Sequence, residues 1–209
     1  MTIRLYDYFR SSACYRVRIA LNLKDLTYEA VDTSLIDGAH RTPDYIAMNP
    51  QGFVPMLEVG DLRLTQSLAI IEWLDATYPE PRFIPNAPAE RARIMALALT
   101  IAADIHPVNN LRILNYLKDD LGIEQAGRDN WYRHWITEGF DALEKMADPD
   151  LPFLSGHTPG IADICLIPQM YNARRFETPL TAYPTLVRID AACTALAAFK
   201  AAHPDTIGV

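Results

Sequence analysis

Cysteine is scarce: the 209 residues hold only Cys14, Cys165 and Cys193, an odd number too far apart for a zinc-type spacing. Such usage argues against a disulfide-stapled secreted scaffold or a metal site, and suits free thiols in a reducing compartment. Basic charge is also in deficit, with 19 Lys and Arg against 26 Asp and Glu and a net charge of −7. A nucleic-acid partner needs a concentrated basic face, so none is expected. No apolar run is expected to reach membrane-spanning length. The opening Met1-Thr2-Ile3-Arg4-Leu5-Tyr6-Asp7 carries charges where a signal peptide needs its apolar core. Internal repeats and low-complexity tracts are lacking too. These absences predict a cytoplasmic protein with no membrane partner.

What the chain does have is a change of character along its length. Ile3–Tyr8 and Thr27–Asp32 read as short strands around a helix over Ser12–Lys24, whose Val17, Ala20, Leu21 and Leu23 supply an apolar face. A βαβ unit implies a right-handed crossover and a parallel strand pair. Residues 38–49 read as loop with one helical turn. Val54–Val59 and Leu62–Leu64 flank Gly60-Asp61, a two-residue hairpin signal. A helix then runs from Ser67 to about Tyr78-Pro79. The proline-rich stretch from Pro79 to Pro88 cannot continue a helix and is the natural linker. Beyond it the signals are helical: 89–121 with a bend at Pro107, 124–147 with Trp131, Trp135, Ile136, Phe140 and Leu143 on or near one stripe, 161–176 and 184–202. The expected organisation is an α/β domain over 1–80, a linker over 81–88 and an all-α domain over 89–209.

Three short motifs carry chemistry. Arg10-Ser11-Ser12 lies where the first strand gives way to a helix. Exposed N–H groups and the positive helix end favour an anion there, and serine hydroxyls can hold a thiolate, although a serine in that place also serves as a plain N-cap. Val54-Pro55 opens the third strand; a proline there is either an ordinary edge residue or a cis bond that turns Val54 outward to pair with an extended peptide. Gln66-Ser67 starts the next helix, where Ser67 either caps it or helps its free N–H groups receive a carboxylate. All three motifs lie at edges of neighbouring elements, as a shared groove requires.

Taken with Arg16-Val17-Arg18-Ile19-Ala20-Leu21, Asn49-Pro50, Leu68-Ala69-Ile70-Ile71-Glu72-Trp73-Leu74, Asp104-Ile105-His106-Pro107-Val108-Asn109-Asn110, Asn172-Ala173-Arg174-Arg175-Phe176 and Leu180-Thr181-Ala182-Tyr183-Pro184, these motifs resemble the zeta-class glutathione transferases, the maleylacetoacetate and maleylpyruvate isomerases. The resemblance runs the whole chain in order. It implies a thioredoxin-like N-terminal domain binding glutathione, an all-α C-terminal domain covering an acidic substrate, a cis Val54–Pro55 bond and a homodimer. It further implies that Ser11 and Ser12 lie beside the glutathione sulfur and that Val54, with Pro55, presents backbone to the cysteinyl unit. Gln66 and Ser67 would hold the γ-glutamyl end. His40, His106, Asn110 and Arg112 match further glutathione-contacting positions, while Arg10 and Arg175, with Arg112 and Arg174 beside them, would receive substrate carboxylates. The implied activity is cis–trans isomerisation of maleylacetoacetate by reversible thiolate addition. Maleylpyruvate isomerisation, glutathione conjugation to electrophiles and a non-catalytic binding or scaffold role are the alternatives.

Three departures stand out. Ala13 replaces the cysteine common third in the Ser-Ser-Cys run, so the chemistry needs no thiol there, and Cys14 reads as a small buried residue. Gly160 stands where transferases usually have a Ser or Thr cap three residues before Asp163, a change expected to cost only a few tenths of a kcal/mol. Arg112 is not universal in the family and adds positive charge near the site.

Overall fold

The computed structural model describes residues 2–208. The chain divides into two compact units: everything up to Arg82 together with the segment from Ala195 onward, and Phe83–Thr194.

In the first unit β1 (Ile3–Asp7) leads through α1 (Ser12–Leu23) to β2 (Glu29–Asp32), and after α2 (Pro43–Met48) come β3 (Met56–Val59), β4 (Leu62–Thr65) and α3 (Ser67–Thr77). The sheet order is β2-β1-β3-β4, with β1–β2 parallel and the other two pairs antiparallel. This is the thioredoxin-like arrangement expected. The hairpin closes on a Val59–Leu62 pair, with Gly60 at φ 60°. In place of the one helical turn expected within 38–49 there are two elements, a 3-10 turn at Ala39–Arg41 and then α2, started by Pro43 and capped by Thr42, whose hydroxyl accepts from the Tyr45 N–H at 3.4 Å.

Alternation along β1 buries Ile3, Leu5 and Asp7 on one face. Asp7 is tolerated there because Arg18 of α1 meets it at 2.6 Å. Lys24, just past α1, is likewise buried against Asp75 at 2.9 Å and donates to the Pro81 carbonyl at 2.6 Å.

The C-terminal segment differs from the expected boundary, which ran the helical domain to 209. Here α10 (Ala197–Ala202) and α11 (Pro204–Ile207) pack with the first unit. Buried polar groups on α1 require acceptors, and this segment supplies them. Arg18 Nε donates to the Ala202 carbonyl at 3.1 Å and Asn22 Nδ2 to the Ala198 carbonyl at 3.0 Å. The expected continuous helix over 184–202 is accordingly two, α9 (Pro184–Thr194) and α10.

The second unit is helical. The long run expected from 89 consists of α4 (Pro88–Leu99), a π-helical stretch Thr100–Ile105, the short α5 (His106–Val108) and α6 (Leu111–Asp119). The anticipated bend at Pro107 takes the form of that wider turn, His106 N–H reaching back to the Ile101 carbonyl, followed by a break at Asn109-Asn110. One expectation is corrected here: the stretch Pro88–Asp119 contains an 18-residue window with a mean hydropathy of 1.2, long and apolar enough by length and composition to cross a membrane. Ile94, Leu97, Ala98, Ile101 and Ile105 along it are buried in the unit's core, and α4 packs on α8 (Ile161–Arg175). On α7 (Gln125–Met146) the buried stripe is Tyr132, Ile136, Phe140 and Leu143, whereas Trp131 and Trp135 stay half-buried. Helix α8 is buried along most of its length.

Gly160, the N-cap of α8, is explained by space. A Cβ there would lie 2.7 Å from the Phe83 carbonyl oxygen and 2.9 Å from Ser155 Cβ. The hydroxyl that a Ser or Thr cap would provide comes from Ser155, whose Oγ accepts from the Ala162 N–H at 3.2 Å. Asp163 completes the turn, accepting from the N–H groups of Leu154, Ser155 and Gly160 at 2.7, 3.0 and 3.0 Å.

Candidate functional site

Ser11 caps α1. Its φ and ψ of −70° and 119° put it outside the helix, and its hydroxyl oxygen accepts from the Cys14 N–H at 3.3 Å. A serine oxygen occupied in this way still has its own proton to give. Ser11 is half-exposed, whereas Ser12, the first helical residue, is buried. Arg10 is exposed, its guanidinium over the Phe9 ring at 5.0 Å. Cys14 is fully buried, and burial pushes its thiol well above the ordinary cysteine range, so it stays protonated. The reading of Cys14 as a buried packing residue agrees with this geometry.

Val54 sits behind this loop in one buried cluster with Tyr8, Cys14, Tyr45 and Met56. The Val54–Pro55 bond is cis, and so is Glu80–Pro81, which the sequence reading did not anticipate. Val54 precedes β3, and among the described residues its backbone N–H and C=O take no part in the ladder. The approach to it is fixed by the Phe53 carbonyl, which accepts from Tyr45 Oη at 2.6 Å and Asn49 Nδ2 at 2.7 Å. Gly52 has a positive φ of 59°, and a Cβ there would come within 3.0 Å of the His40 carbonyl oxygen. That close approach brings the His40 segment against Gly52. The imidazole of His40 lies 3.4 Å from the Ser34 carbonyl, and burial lowers its pKa, leaving it neutral at pH 7.

At the start of α3, Gln66 adopts a φ of 69° and its side-chain amide donates to Gln51 Oε1 at 2.8 Å, joining this helix end to the loop before Val54. Ser67 is buried and accepts from Arg16 Nη1 at 3.3 Å. In the first unit Ser11 and Gln66 thus stand at the N-terminal ends of α1 and α3, Ser67 opens α3, and Val54 lies just before β3.

In the second unit the predicted residues form two groups. His106 is half-buried in α5. Asn110 caps α6 by accepting from the Arg112 N–H at 3.2 Å, and Arg112 is exposed. Arg174 and Arg175 end α8. Arg174 is engaged by Asp190 at 2.6 Å, while Arg175 holds its guanidinium 4.9 Å from the centre of the Phe176 ring. Tyr132, which sequence reasoning missed, links the groups. Its ring stacks on Phe176 at 3.6 Å and its carbonyl accepts from Asn109 Nδ2 at 3.1 Å. The available signal was helical spacing, since Tyr132 lies four residues before Ile136 and eight before Phe140. Among the described residues no group of three or more His, Cys, Asp or Glu side chains is arranged to hold a metal ion.

Residues 1–76 match the family model "Glutathione S-transferase, N-terminal domain". The chain is 50% identical over 208 residues to the "Probable maleylacetoacetate isomerase" of Vibrio cholerae, covering 98% of this chain and 97% of that protein. Among solved structures it is similar to a bacterial zeta-class maleylpyruvate isomerase in its holo form, with a TM-score of 0.95, 43% identity and 97% of each chain covered. It is also similar to the maleylacetoacetate isomerase of Anaeromyxobacter dehalogenans with bound GSH, with a TM-score of 0.87, 41% identity, 98% of this chain and 96% of that one. With identity at this level sustained over nearly its whole length, the chain belongs to the zeta-class glutathione transferases, in the maleylacetoacetate and maleylpyruvate isomerase family.

Proposed function

We propose that this protein is a glutathione-dependent cis–trans isomerase acting on maleylacetoacetate, with maleylpyruvate as the alternative substrate of the same chemistry. The observation that carries the reading is the presence, in one unit, of a half-exposed Ser11 that caps α1 and a Val54 backbone that takes no part in the ladder. An extended thiol peptide needs both features, one for its sulfur and one for its main chain. When bound, glutathione supplies a thiolate that adds to the conjugated cis alkene and leaves again, so that the bond can rotate in between.

The chain's own groups explain how that thiol is made ready. A free thiol is mostly protonated at neutral pH. Ser11, its oxygen already accepting from Cys14 N–H, donates a hydrogen bond from its hydroxyl to the sulfur and so favours the thiolate, and the N-terminal end of α1 adds positive potential. Ser12, buried as the first residue of α1, is proposed as the second hydroxyl beside the sulfur. The Val54 N–H and C=O orient the cysteinyl unit as one more strand. Gln66 and Ser67 receive the γ-glutamyl end, and His40, His106, Asn110 and Arg112 are proposed as further glutathione contacts. Arg10 and Arg175 receive substrate carboxylates and stabilise negative charge developing on the substrate carbonyl. Arg174 is the weaker candidate because Asp190 already engages it. A cytoplasmic homodimer is the expected setting.

The test is the rate of cis-to-trans conversion of maleylacetoacetate and of maleylpyruvate, each with and without glutathione. Glutathione-dependent turnover is expected, and the faster substrate identifies the physiological class. Binding of glutathione without turnover of either would overturn the isomerase reading in favour of a conjugating transferase.

A further inference from the structure

We propose that Arg16 is a positioning residue that fixes the Ser67 hydroxyl as a donor toward the α-carboxylate of a bound γ-glutamyl group. The inference rests on the glutathione reading above and identifies what sets the polarity of one end of that site.

Arg16 lies on α1 with only 2% of its surface exposed, and its Nη1 donates to Ser67 Oγ at 3.3 Å. A guanidinium has donors only, so at this bond the serine oxygen must accept. A serine hydroxyl has one proton to give. Among the described residues no acceptor takes that of Ser67, although the residue is only 6% exposed. The proton is thus reserved for something that is not part of the fold.

The surroundings favour an anion. Ser67 is the first residue of α3, an eleven-residue helix whose opening N–H groups lack intrahelical acceptors. No acidic side chain lies in that first turn to neutralise the helix end. A buried guanidinium behind the hydroxyl adds positive potential through a poorly screening interior. A neutral amide in place of Arg16 could accept as well as donate, and the Ser67 proton could then turn inward.

Calorimetric binding to the full-length protein tests this, using glutathione and its analogue γ-aminobutyryl-cysteinylglycine, which lacks only the γ-glutamyl carboxylate. The native protein is expected to prefer glutathione by at least about tenfold, the scale of a charge-assisted hydrogen bond. Arg16→Gln and Ser67→Ala should each remove most of that preference, and the double variant should remove little more. Affinity for the analogue should change little, which distinguishes positioning from general damage. Ser67→Ala leaves the buried charge untouched and serves as the second variant if Arg16→Gln does not fold; unchanged discrimination in Ser67→Ala overturns the proposal. Retained discrimination in Arg16→Gln, or fully additive losses in the double variant, overturns it as well. Failure of the native protein to bind glutathione would instead overturn the functional reading on which it rests.

Discussion

Replacing Asp163 by alanine tests how the second unit holds the start of α8. The carboxylate is fully buried, with Oδ1 accepting from Leu154 N–H and Oδ2 from Ser155 and Gly160 N–H. Alanine leaves all three donors without their acceptor in the interior. Each orphaned buried group costs roughly 1–3 kcal/mol, so a total of about 3–5 kcal/mol is expected once the loop relaxes and admits water. Asparagine keeps one acceptor oxygen but presents an amide N–H₂ to the remaining donors, and should cost about half as much. Burial raises the Asp163 carboxyl above the ordinary carboxylate range, against the pull of the hydrogen bonds. The folded state therefore holds that proton more readily than the unfolded one. The stability linked to it is greatest below the unfolded-state pKa and falls as pH rises through the raised folded-state value. Asp163→Asn lacks this slope, so its cost relative to the native protein should shrink as pH rises through that window. Denaturant unfolding read by tryptophan fluorescence measures the loss. Hydrogen exchange at the Leu154, Ser155 and Gly160 amides localises it, which matters for a chain of two units that can unfold in separate steps. An alanine variant costing under about 1 kcal/mol, with those amides still protected, would refute the reasoning.

Gly160→Ser, which restores the commoner cap, should destabilise by about 1–3 kcal/mol, because its Cβ meets the Phe83 carbonyl and Ser155; a raised melting temperature would contradict this. Lys24→Met should cost about 1.5–3 kcal/mol by removing the buried donor to Asp75 and Pro81, Asp75 keeping Arg82 at 4.0 Å, whereas Lys24→Met with Asp75→Leu should recover part of it in urea unfolding; a single-variant cost under about 0.5 kcal/mol would contradict this. Cys14, Cys165 and Cys193 are all buried, so a chromogenic disulfide reagent should label none of them in the native protein and all of them after unfolding; rapid native labelling of Cys14 would refute its packing role. Arg175→Ala should raise the substrate KM by about tenfold or more and spare glutathione binding by calorimetry, and equal loss of both would remove Arg175 from the carboxylate site.

Local chemistry made several elements legible. The Gly60-Asp61 turn, the strand alternation through Ile3 and Leu5, and the serine at the start of α1 each follow from residue-level preferences that act over a few positions. The ordered run of motifs indicated the family, because a pattern extending through both halves of a chain constrains far more than any single motif. Tertiary structure decided what depends on distant partners. The segment from Ala195 onward joins the first unit because Arg18 and Asn22, more than 170 residues earlier, need its carbonyls. The glycine at 160 is required by Phe83 and compensated by Ser155, neither of which is its sequence neighbour. Tyr132 meets Phe176, and Arg16 meets Ser67, across separations that helical periodicity cannot encode. Periodicity reports which face of a helix is buried; the group that meets that face is chosen only when the chain folds back on itself.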